Sequence, residues 1–270
     1  MTDQYGVIGH PIAHSKSPII HRQFAEQTGQ DLDYTAFDIA PEDLPTELKR
    51  LVDEGLKGLN VTVPHKSAVA DLLDDMSDRA RQAGAVNTIS IDDEGRLSGE
   101  NTDGVGLVLD LQENLEIGLE GLQILVLGAG GATRGIIPAL LATEPEKILI
   151  ANRTLDKARL LADEFAALGN LSFCEFEELG GQSFDLIINA TSAGLGGSVP
   201  PFPGSIIRPE VICYDLSYGM TDTPFLSWAR ERGAEHAHQG WGMLIEQAAE
   251  SFYIWRDVRP ETAPVRQHLP

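Results

Sequence analysis

"ILVLGAGGATRG", Ile124 to Gly135, decides how this chain is read. Ile124, Leu125, Val126 and Leu127 run without interruption into Gly128, Gly130 and Gly131, and an apolar helical pattern, "IIPALLA", follows at once. A strand that ends on glycines and reopens as a helix lets backbone N–H groups at the helix start approach a pyrophosphate with no side chain in the way. The spacing departs from the usual fingerprint, because Gly131 follows Gly130 directly and Thr133 stands where Gly or Ala is expected. Gly128, Ala129, Gly130, Gly131 and Ala132 are therefore the expected dinucleotide contacts, and the alternative is a plain tight turn.

Towards the C-terminus, "EKILIANR", "SFCEF", "DLIINAT" and "VICYDLSY" read as further strands. All but "SFCEF" are continuous apolar runs, as parallel strands covered on both faces require, so a doubly wound, Rossmann-type sheet is expected. After "KILIA", where an NAD site would present a carboxylate to the ribose, the chain offers Asn152, Arg153, Thr154 and Lys157. Cations and hydroxyls there suit a 2'-phosphate, which points to NADP. The alternative is that Arg153 and Lys157 are the solvated first turn of a helix, a placement the helix dipole disfavours. "INATSAGLGG" supplies Thr191 and Ser192 on a small, polar loop that could pass a cofactor or simply cross the surface.

Towards the N-terminus, "YGVIG", Ser17 to Thr28, "YTAFDI", Glu42 to Gly55 and "GLNVTV" alternate β-like and helical patterns, so a parallel or mixed sheet with helical cover is expected. Helical stretches follow at Ala68 to Met76 and Asp78 to Ala83, then a hairpin turning around Asp93 to Gly95, then a helix from Gly104 to Asn114. The last helix carries Met243, Leu244, Ala248, Phe252 and Trp255 at helical spacing and is expected to pack back on the first domain, with an extended Pro-rich tail, "RPETAPVRQHLP", after it. The expected organisation is a discontinuous α/β domain, 1–103 and 239–270, around a nucleotide-binding domain, 104–238.

With 42% hydrophobic and 23% charged residues in 270, the chain is of ordinary globular composition. Its 20 Lys+Arg against 41 Asp+Glu give a formal charge of -21, which opposes nucleic acid and anionic membranes, so neither is an expected partner. An anionic ligand must then be attracted by local donors. Cys174 and Cys213 are too few for a disulfide framework, "MTDQYGVIGHP" has no secretory pattern, and no apolar run spans a bilayer, so a cytoplasmic protein is expected. The histidines show no metal-ligand grouping.

Three polar groups stand out in the first domain. Ser15 and Ser17 precede an apolar helix, either as ordinary caps or, with free amides of the helix start, as a neutral site for a carboxylate. Lys66 closes "NVTVPHK", where a buried strand emerges; a solvated strand-end lysine is the plain alternative to a functional one. Asn87 and Asp103 sit at ends of β-like segments beside small residues, as turn residues or as ligands.

Taken together, "HSKSP", "NVTVPHK", "GAVNT", "NTDG", "GAGGATRG", "NRT", "NATSAG", "DLSYG" and "GMLIEQAAESF" resemble the shikimate dehydrogenase family, in the family order and from His14 to Phe252. The resemblance implies reversible hydride transfer between NADPH and 3-dehydroshikimate, giving shikimate, in the pathway to chorismate and aromatic amino acids. It implies a substrate domain completed by the terminal helix, a Rossmann-type NADP domain, and a cleft between them. Lys66 and Asp103 would be the catalytic pair; Ser15 and Ser17 would hold the substrate carboxylate; Asn60, Thr62, Asn87, Asp103 and Gln247 would bind its ring hydroxyls. Tyr218 would lie on the carboxylate side, and Leu216 and Gly240 near the cofactor. His65 stands where Phe is commoner, Leu195 and Leu216 where Met is frequent, and Lys157 where Arg is frequent. A quinate-oxidising relative and a non-catalytic NADP(H) sensor are the competing readings; Arg153 opposes the first, and retention of Lys66 with Asp103 the second. A homodimer is one assembly this leaves open.

Overall fold

Side-chain alternation decides how the first strands are buried. Tyr5 and Val7 of β1 (Asp3–Gly9) share one face with Ile12 and Tyr34, while Ile8 shares the other with Leu59, Val61 and Ile89. The computed structural model describes residues 2–191, 193 and 199–268, and by its contacts the chain divides into two compact units, Met1–Gly106 with Leu244–Leu269, and Leu107–Met243.

After β1, the first unit runs through α1 (Ser17–Thr28), β2 (Leu32–Asp38), α2 (Leu44–Asp53), β3 (Gly58–Val61), β4 (Asp75–Met76), α3 (Asp78–Ala83), β5 (Thr88–Ile91) and β6 (Leu97–Glu100). Its sheet has the order β2-β1-β3-β5-β6-β4 and is mixed, as expected: β1 is parallel to β2 and β3, and β5 is antiparallel to β3 and β6. Leu44, Leu48 and Leu51 of α2 pack with Ile8, Leu59 and Ile89, and Ile20 and Phe24 of α1 pack with Ile245, Ala248 and Phe252 of the terminal helix. Each such fully buried side chain contributes about 1.5–3 kcal/mol.

The helix expected over Ala68 to Met76 is instead a 3₁₀ turn, Ala68–Leu72, followed by β4. Asp74 donates from its amide to the Leu97 carbonyl at 3.0 Å and its carboxylate accepts from the Leu97 amide at 2.7 Å, so pairing with β6 satisfies the groups a helix would have used internally. Helix α1 begins at Ser17 itself with Lys16 as its uncapped N-terminal flank, so the reading of Ser17 as a cap is corrected.

The second unit takes up the chain within α4 (Asp103–Leu109), which widens into a π turn at Asp110–Asn114. There follow β7 (Gln123–Leu127), α5 (Gly131–Leu141), β8 (Lys147–Ala151), α6 (Leu155–Phe165), β9 (Leu171–Cys174), β10 (Leu186–Asn189), β11 (Ile212–Asp215), α7 (Pro224–Arg230) and β12 (His236–Gln239). The strands lie in the order β12-β11-β10-β7-β8-β9, all parallel, which is the doubly wound nucleotide-binding order. Ile124, Val126, Ile148 and Ile150 pack with α5 and α6; Leu125, Leu127, Leu149 and Ile187 face Phe225, Leu226 and Ala229 of α7. Burial on both faces is why these strands carry unbroken apolar runs. β12, "HAHQ", has no such run, because it is a polar edge strand held by its pairing with β11.

The chain closes with α8 (Trp241–Arg256), which re-enters the first unit at Leu244, and α9 (Ala263–His268). The tail expected to be extended is thus helical in part: Val265 is 2% exposed against the α1 and α8 side chains, and Arg266 pairs with Glu246 at 2.7 Å. Among the described residues no helix is long and apolar enough to cross a membrane.

At the centre of this first-unit core lies His21, fully buried, its ring parallel to Tyr34 at 4.2 Å and flanked by Phe24, Phe252 and Trp255. Burial lowers its pKa from 6.5 to about 3. Below 6.5 the unfolded chain binds a proton that the folded chain refuses, so stability falls with falling pH by about 1.4 kcal/mol per unit for this group until pH approaches 3. His21→Phe should therefore show a flatter acid limb in denaturant-unfolding free energies measured over that range, and parallel wild-type and variant curves would contradict this assignment.

Candidate active site

In the first unit the polar set builds outward from the end of β3. The amide of Thr62 donates to the carbonyl of Ile8 at 2.9 Å, and His65 turns back to donate from its amide to Thr62 at 2.9 Å. His65 is 1% exposed and its Nε2 lies 2.8 Å from the carbonyl of Ile39, an acceptor only, so Nε2 carries the proton. The side chain is a packed strut for the turn, which accounts for a histidine where Phe is commoner. The carbonyl of Lys66 accepts from Val86 at 2.7 Å, fixing the lysine backbone from the other side.

So held, Lys66 reaches Asp103, its Nζ donating to Oδ2 at 2.5 Å, with the two side chains 17% and 5% exposed. Asp103 is the first residue of α4, where the helix dipole favours a carboxylate. Its Oδ1 accepts from Asn87 Nδ2 at 2.9 Å. The same Nδ2 meets Thr102 Oγ1 at 2.8 Å and Gln247 Oε1 at 3.2 Å, which draws α8 into the set. Asn60 is joined from the β3 side: its Nδ2 donates to Ser251 Oγ at 3.0 Å and to Thr88 Oγ1 and the Asn87 carbonyl at 3.2 Å. Lys66, Asp103, Asn87, Asn60 and Gln247 thus form one buried network, and the solvated-lysine and plain-turn readings of these positions do not describe it.

Ser15 and Ser17 lie at the start of α1, half-buried and buried. The amides there are largely spent, since Ser17 donates to Ser15 Oγ at 3.3 Å, Ser15 to Ile12 and Ile19 to Lys16, so the expectation of free amides is corrected and the two hydroxyls with the Lys16 side chain are what the site offers. Thr62 lies against Gly9, whose added Cβ would come within 2.5 Å of Thr62 Cγ2. Sequence reading passed over Tyr34, Thr88, Thr102 and Ser251, which carry much of the network. Thr88, Thr102 and Ser251 lie within "GAVNT", "NTDG" and "GMLIEQAAESF" without standing out there, and only its hydroxyl type could have hinted at Tyr34.

In the second unit, the backbone builds the site. Gly128 has φ +104°, a left-handed value, and an added Cβ would come within 3.1 Å of the Ala190 carbonyl. Gly130, by contrast, opens onto free space at the start of α5. Amides of a helix's first turn have no acceptor within the helix, so Gly131 and Ala132 present them outward from Ala129 and Gly130. Thr133, the apparent departure from the fingerprint, is buried and its hydroxyl donates to the Gly128 carbonyl at 2.8 Å, closing the loop on itself.

The strand order reverses between β7 and β10, and ligands of such sheets lie beyond the strand ends at that point. Thr191 follows β10, its Oγ1 donating to Asn189 Oδ1 at 2.8 Å; Ser192 lies outside the described residues. Leu216 follows β11 and donates from its amide to Asn189 at 3.0 Å. Gly240 follows β12, where a Cβ would come within 2.4 Å of the Leu216 carbonyl. Tyr218 belongs to this unit too, its ring 4.4 Å from Trp241, and burial raises its phenol above the ordinary value.

After the end of β8, Arg153, Thr154 and Lys157 are exposed, and half-buried Asn152 bridges from Nδ2 to the Thr154 carbonyl at 2.9 Å. The first carboxylate of α6, Asp156, is engaged by Arg159 at 3.0 Å. Open space at Gly130, followed after β8 by exposed Arg153 and Lys157 with no ion-pair partner among the described residues, fits a phosphorylated dinucleotide.

Three family models match the chain: the shikimate dehydrogenase substrate binding domain over residues 7–89, shikimate / quinate 5-dehydrogenase over 110–195, and the shikimate 5'-dehydrogenase C-terminal domain over 240–269. The shikimate dehydrogenase (NADP(+)) of Methylococcus capsulatus is 51% identical over 267 residues, 99% of this chain and 96% of that protein. The enzyme of the same name from Alkalilimnicola ehrlichii is 52% identical over 265 residues, 98% of this chain and 97% of its own. Among solved structures, an Ael1 enzyme from Pseudomonas putida superposes with a TM-score of 0.91 at 43% identity, covering 99% of both chains. Shikimate 5-dehydrogenase from Thermus thermophilus, in complex with NADP(H) and shikimate, gives 0.87 at 35% identity over 98% of this chain and 97% of that one. With such likeness running along nearly its whole length, this chain belongs to the shikimate dehydrogenase family.

Proposed function

We propose that this chain is an NADP-dependent shikimate dehydrogenase, reducing 3-dehydroshikimate to shikimate reversibly in the route to chorismate and aromatic amino acids. The observation that carries the reading is the Lys66–Asp103 pair, braced by Asn87, in the unit that the substrate-binding family model matches. The proposed substrate domain is 1–103 with 239–270 and the proposed cofactor domain 104–238; the two compact units support such a division, although their bounds fall at Gly106 and Leu244.

Bound NADPH would supply the hydride for the ketone carbon. As that bond forms the carbonyl oxygen gains negative charge, and the Lys66 ammonium offsets it and delivers a proton from Nζ; in the oxidative direction the same group accepts it. Asp103 holds Nζ in place through its 2.5 Å hydrogen bond, and Asn87 holds Asp103. Ser15 and Ser17, neutral donors, receive the substrate carboxylate, while Asn60, Thr62, Asn87 and Gln247 take the ring hydroxyls; Tyr218 completes the carboxylate side. Gly128 to Ala132 would hold the pyrophosphate and Asn152, Arg153, Thr154 and Lys157 the 2'-phosphate, with Leu216 toward the nicotinamide and Thr191, Ser192 and Gly240 as further cofactor-binding residues.

Lys66→Ala should cut turnover of shikimate with NADP+ by roughly a hundred- to ten-thousandfold while the chain still folds and binds NADP+, a range set by the usual worth of general acid–base catalysis. Initial rates followed by NADPH absorbance measure it, and activity within a few fold of wild type would remove Lys66 from the chemistry. Arg153→Ala should raise KM for NADP+ by about tenfold, the worth of a charge-assisted phosphate contact, and leave KM for NAD+ unchanged. Equal effects on both dinucleotides would show that Arg153 does not read the 2'-phosphate.

A further inference from the structure

Tyr34 lies outside every motif that carries the family resemblance, yet it makes the shortest hydrogen bond to Asn60, its hydroxyl donating to Oδ1 at 2.7 Å. The other end of that amide faces the backbone carbonyl of Asn87 at 3.2 Å, which can only accept. A side-chain amide and its flipped form have nearly the same shape, so only the polarity of the partners tells them apart. Ser251 Oγ and Thr88 Oγ1, also at Nδ2, and the Tyr34 hydroxyl itself can each donate or accept, so the Asn87 carbonyl selects the orientation and Tyr34 anchors Oδ1 in it. Burial holds the Tyr34 phenol well above its ordinary pKa, so it keeps its proton.

The ring that carries this hydroxyl is itself clamped. His21 lies parallel to it, at 4.2 Å and 5°, with Phe24, Phe252 and Trp255 around the imidazole. Neither ring nitrogen of His21 has a hydrogen-bond partner among the described residues, although the Asn60 amide lies close by. His21 therefore acts on Tyr34 by stacking.

We propose that Tyr34 is a positioning residue for substrate recognition: its hydroxyl fixes the amide of Asn60 so that the second lone pair of Oδ1 is offered to one ring hydroxyl of the substrate. This deepens, and rests on, the reading of Asn60 as a substrate-binding residue of a shikimate dehydrogenase. Tyr34→Phe deprives a buried carbonyl oxygen of its donor while keeping the ring in the stack. Its KM for shikimate should rise about tenfold, the usual scale of one lost hydrogen bond at a buried acceptor, with kcat within about twofold and KM for NADP+ unchanged.

Shikimate analogues each lacking one ring hydroxyl separate positioning from general loosening. The analogue without the hydroxyl that Asn60 binds should show no extra penalty in Tyr34→Phe; an equal penalty for all analogues, or an unchanged KM for shikimate, would overturn the inference. Thermal melting checks that the variant folds. Should it not fold, 3-fluorotyrosine at position 34, a stronger donor on the same ring, gives the test with the opposite sign: KM for shikimate falls, and an unchanged value counts against the inference. A wild-type chain idle on shikimate would instead overturn the functional reading. In that case the lock is read from the side-chain amide resonance of Asn60, which should shift in Tyr34→Phe and would refute the lock if it did not.

Discussion

The side-chain amide of Asn87 is the joint on which the first unit's polar site depends. Its Nδ2 donates toward Thr102, Asp103 and Gln247, and its Oδ1 accepts from the Thr102 amide at 2.8 Å and the Thr88 hydroxyl at 3.0 Å. One side chain, 2% exposed, thereby joins the start of β5, the turn before α4 and the face of α8. In so dry a place each made bond is strengthened and each missing partner costs about 1–3 kcal/mol, so the network holds only when it is complete. Asp103 shows the consequence. A carboxylate 4% exposed is tolerated because Lys66 and Asn87 take one oxygen each, and loss of either would leave a buried charge short of partners.

The second unit solves a different problem by different means. Where the first unit spends side chains to define its site, the second removes them. At Gly128 and Gly240 a Cβ would enter contact distance of neighbouring backbone, and at Gly242 it would fall 1.7 Å from Asp110 Oδ1. Asp110 is buried and accepts from Tyr214 at 2.6 Å and Asn114 at 2.9 Å, so the carboxylate cannot yield the space. Asp215, also buried, accepts from the Ser217 amide and the Thr223 hydroxyl, and burial raises its pKa in spite of them. Buried carboxylates thus shape the loops at the sheet's end, and glycines let those loops approach.

What was legible in the sequence follows from this contrast. Gly128 to Gly131 and the apolar runs of β7, β8, β10 and β11 are local signals, because strand burial on both faces and tight backbone turns write themselves into consecutive residues. The motif residues Lys66, Asn87 and Asp103 were legible as polar positions, and the resemblance grouped them. Thr88, Tyr34 and Ser251 were not legible, since Asn60 meets them across separations of 28, 26 and 191 residues, and no local pattern records such contacts. β4, β12 and α9 were missed for a related reason: each is stabilised by a neighbour, Leu97 for the segment at β4, β11 for β12, and the α1–α8 cluster around Val265 for α9. Propensity is weak in all three, and tertiary pairing decides them.

The formal charge of -21 taken alone opposes anionic ligands. Screening changes the balance, because at physiological ionic strength an exposed charge is felt over only about 8 Å, so distant surface carboxylates count for little beside a group in contact. Many of the basic side chains are consumed by those carboxylates, as in the pairs of Arg50 with Glu47 and Glu54, Arg79 with Glu100 and Glu250, and Arg256 with Asp3. Arg153 and Lys157 have no carboxylate within ion-pair distance among the described residues and are exposed where β8 ends. Pairing elsewhere leaves these two cations, like Lys16, Arg22, Lys147 and Arg208, without a carboxylate partner among the described residues, and the Ser15 and Ser17 hydroxyls have none there either. Attraction for an anion is set by which cations are left unpaired, and the acidic surface is compatible with it for that reason.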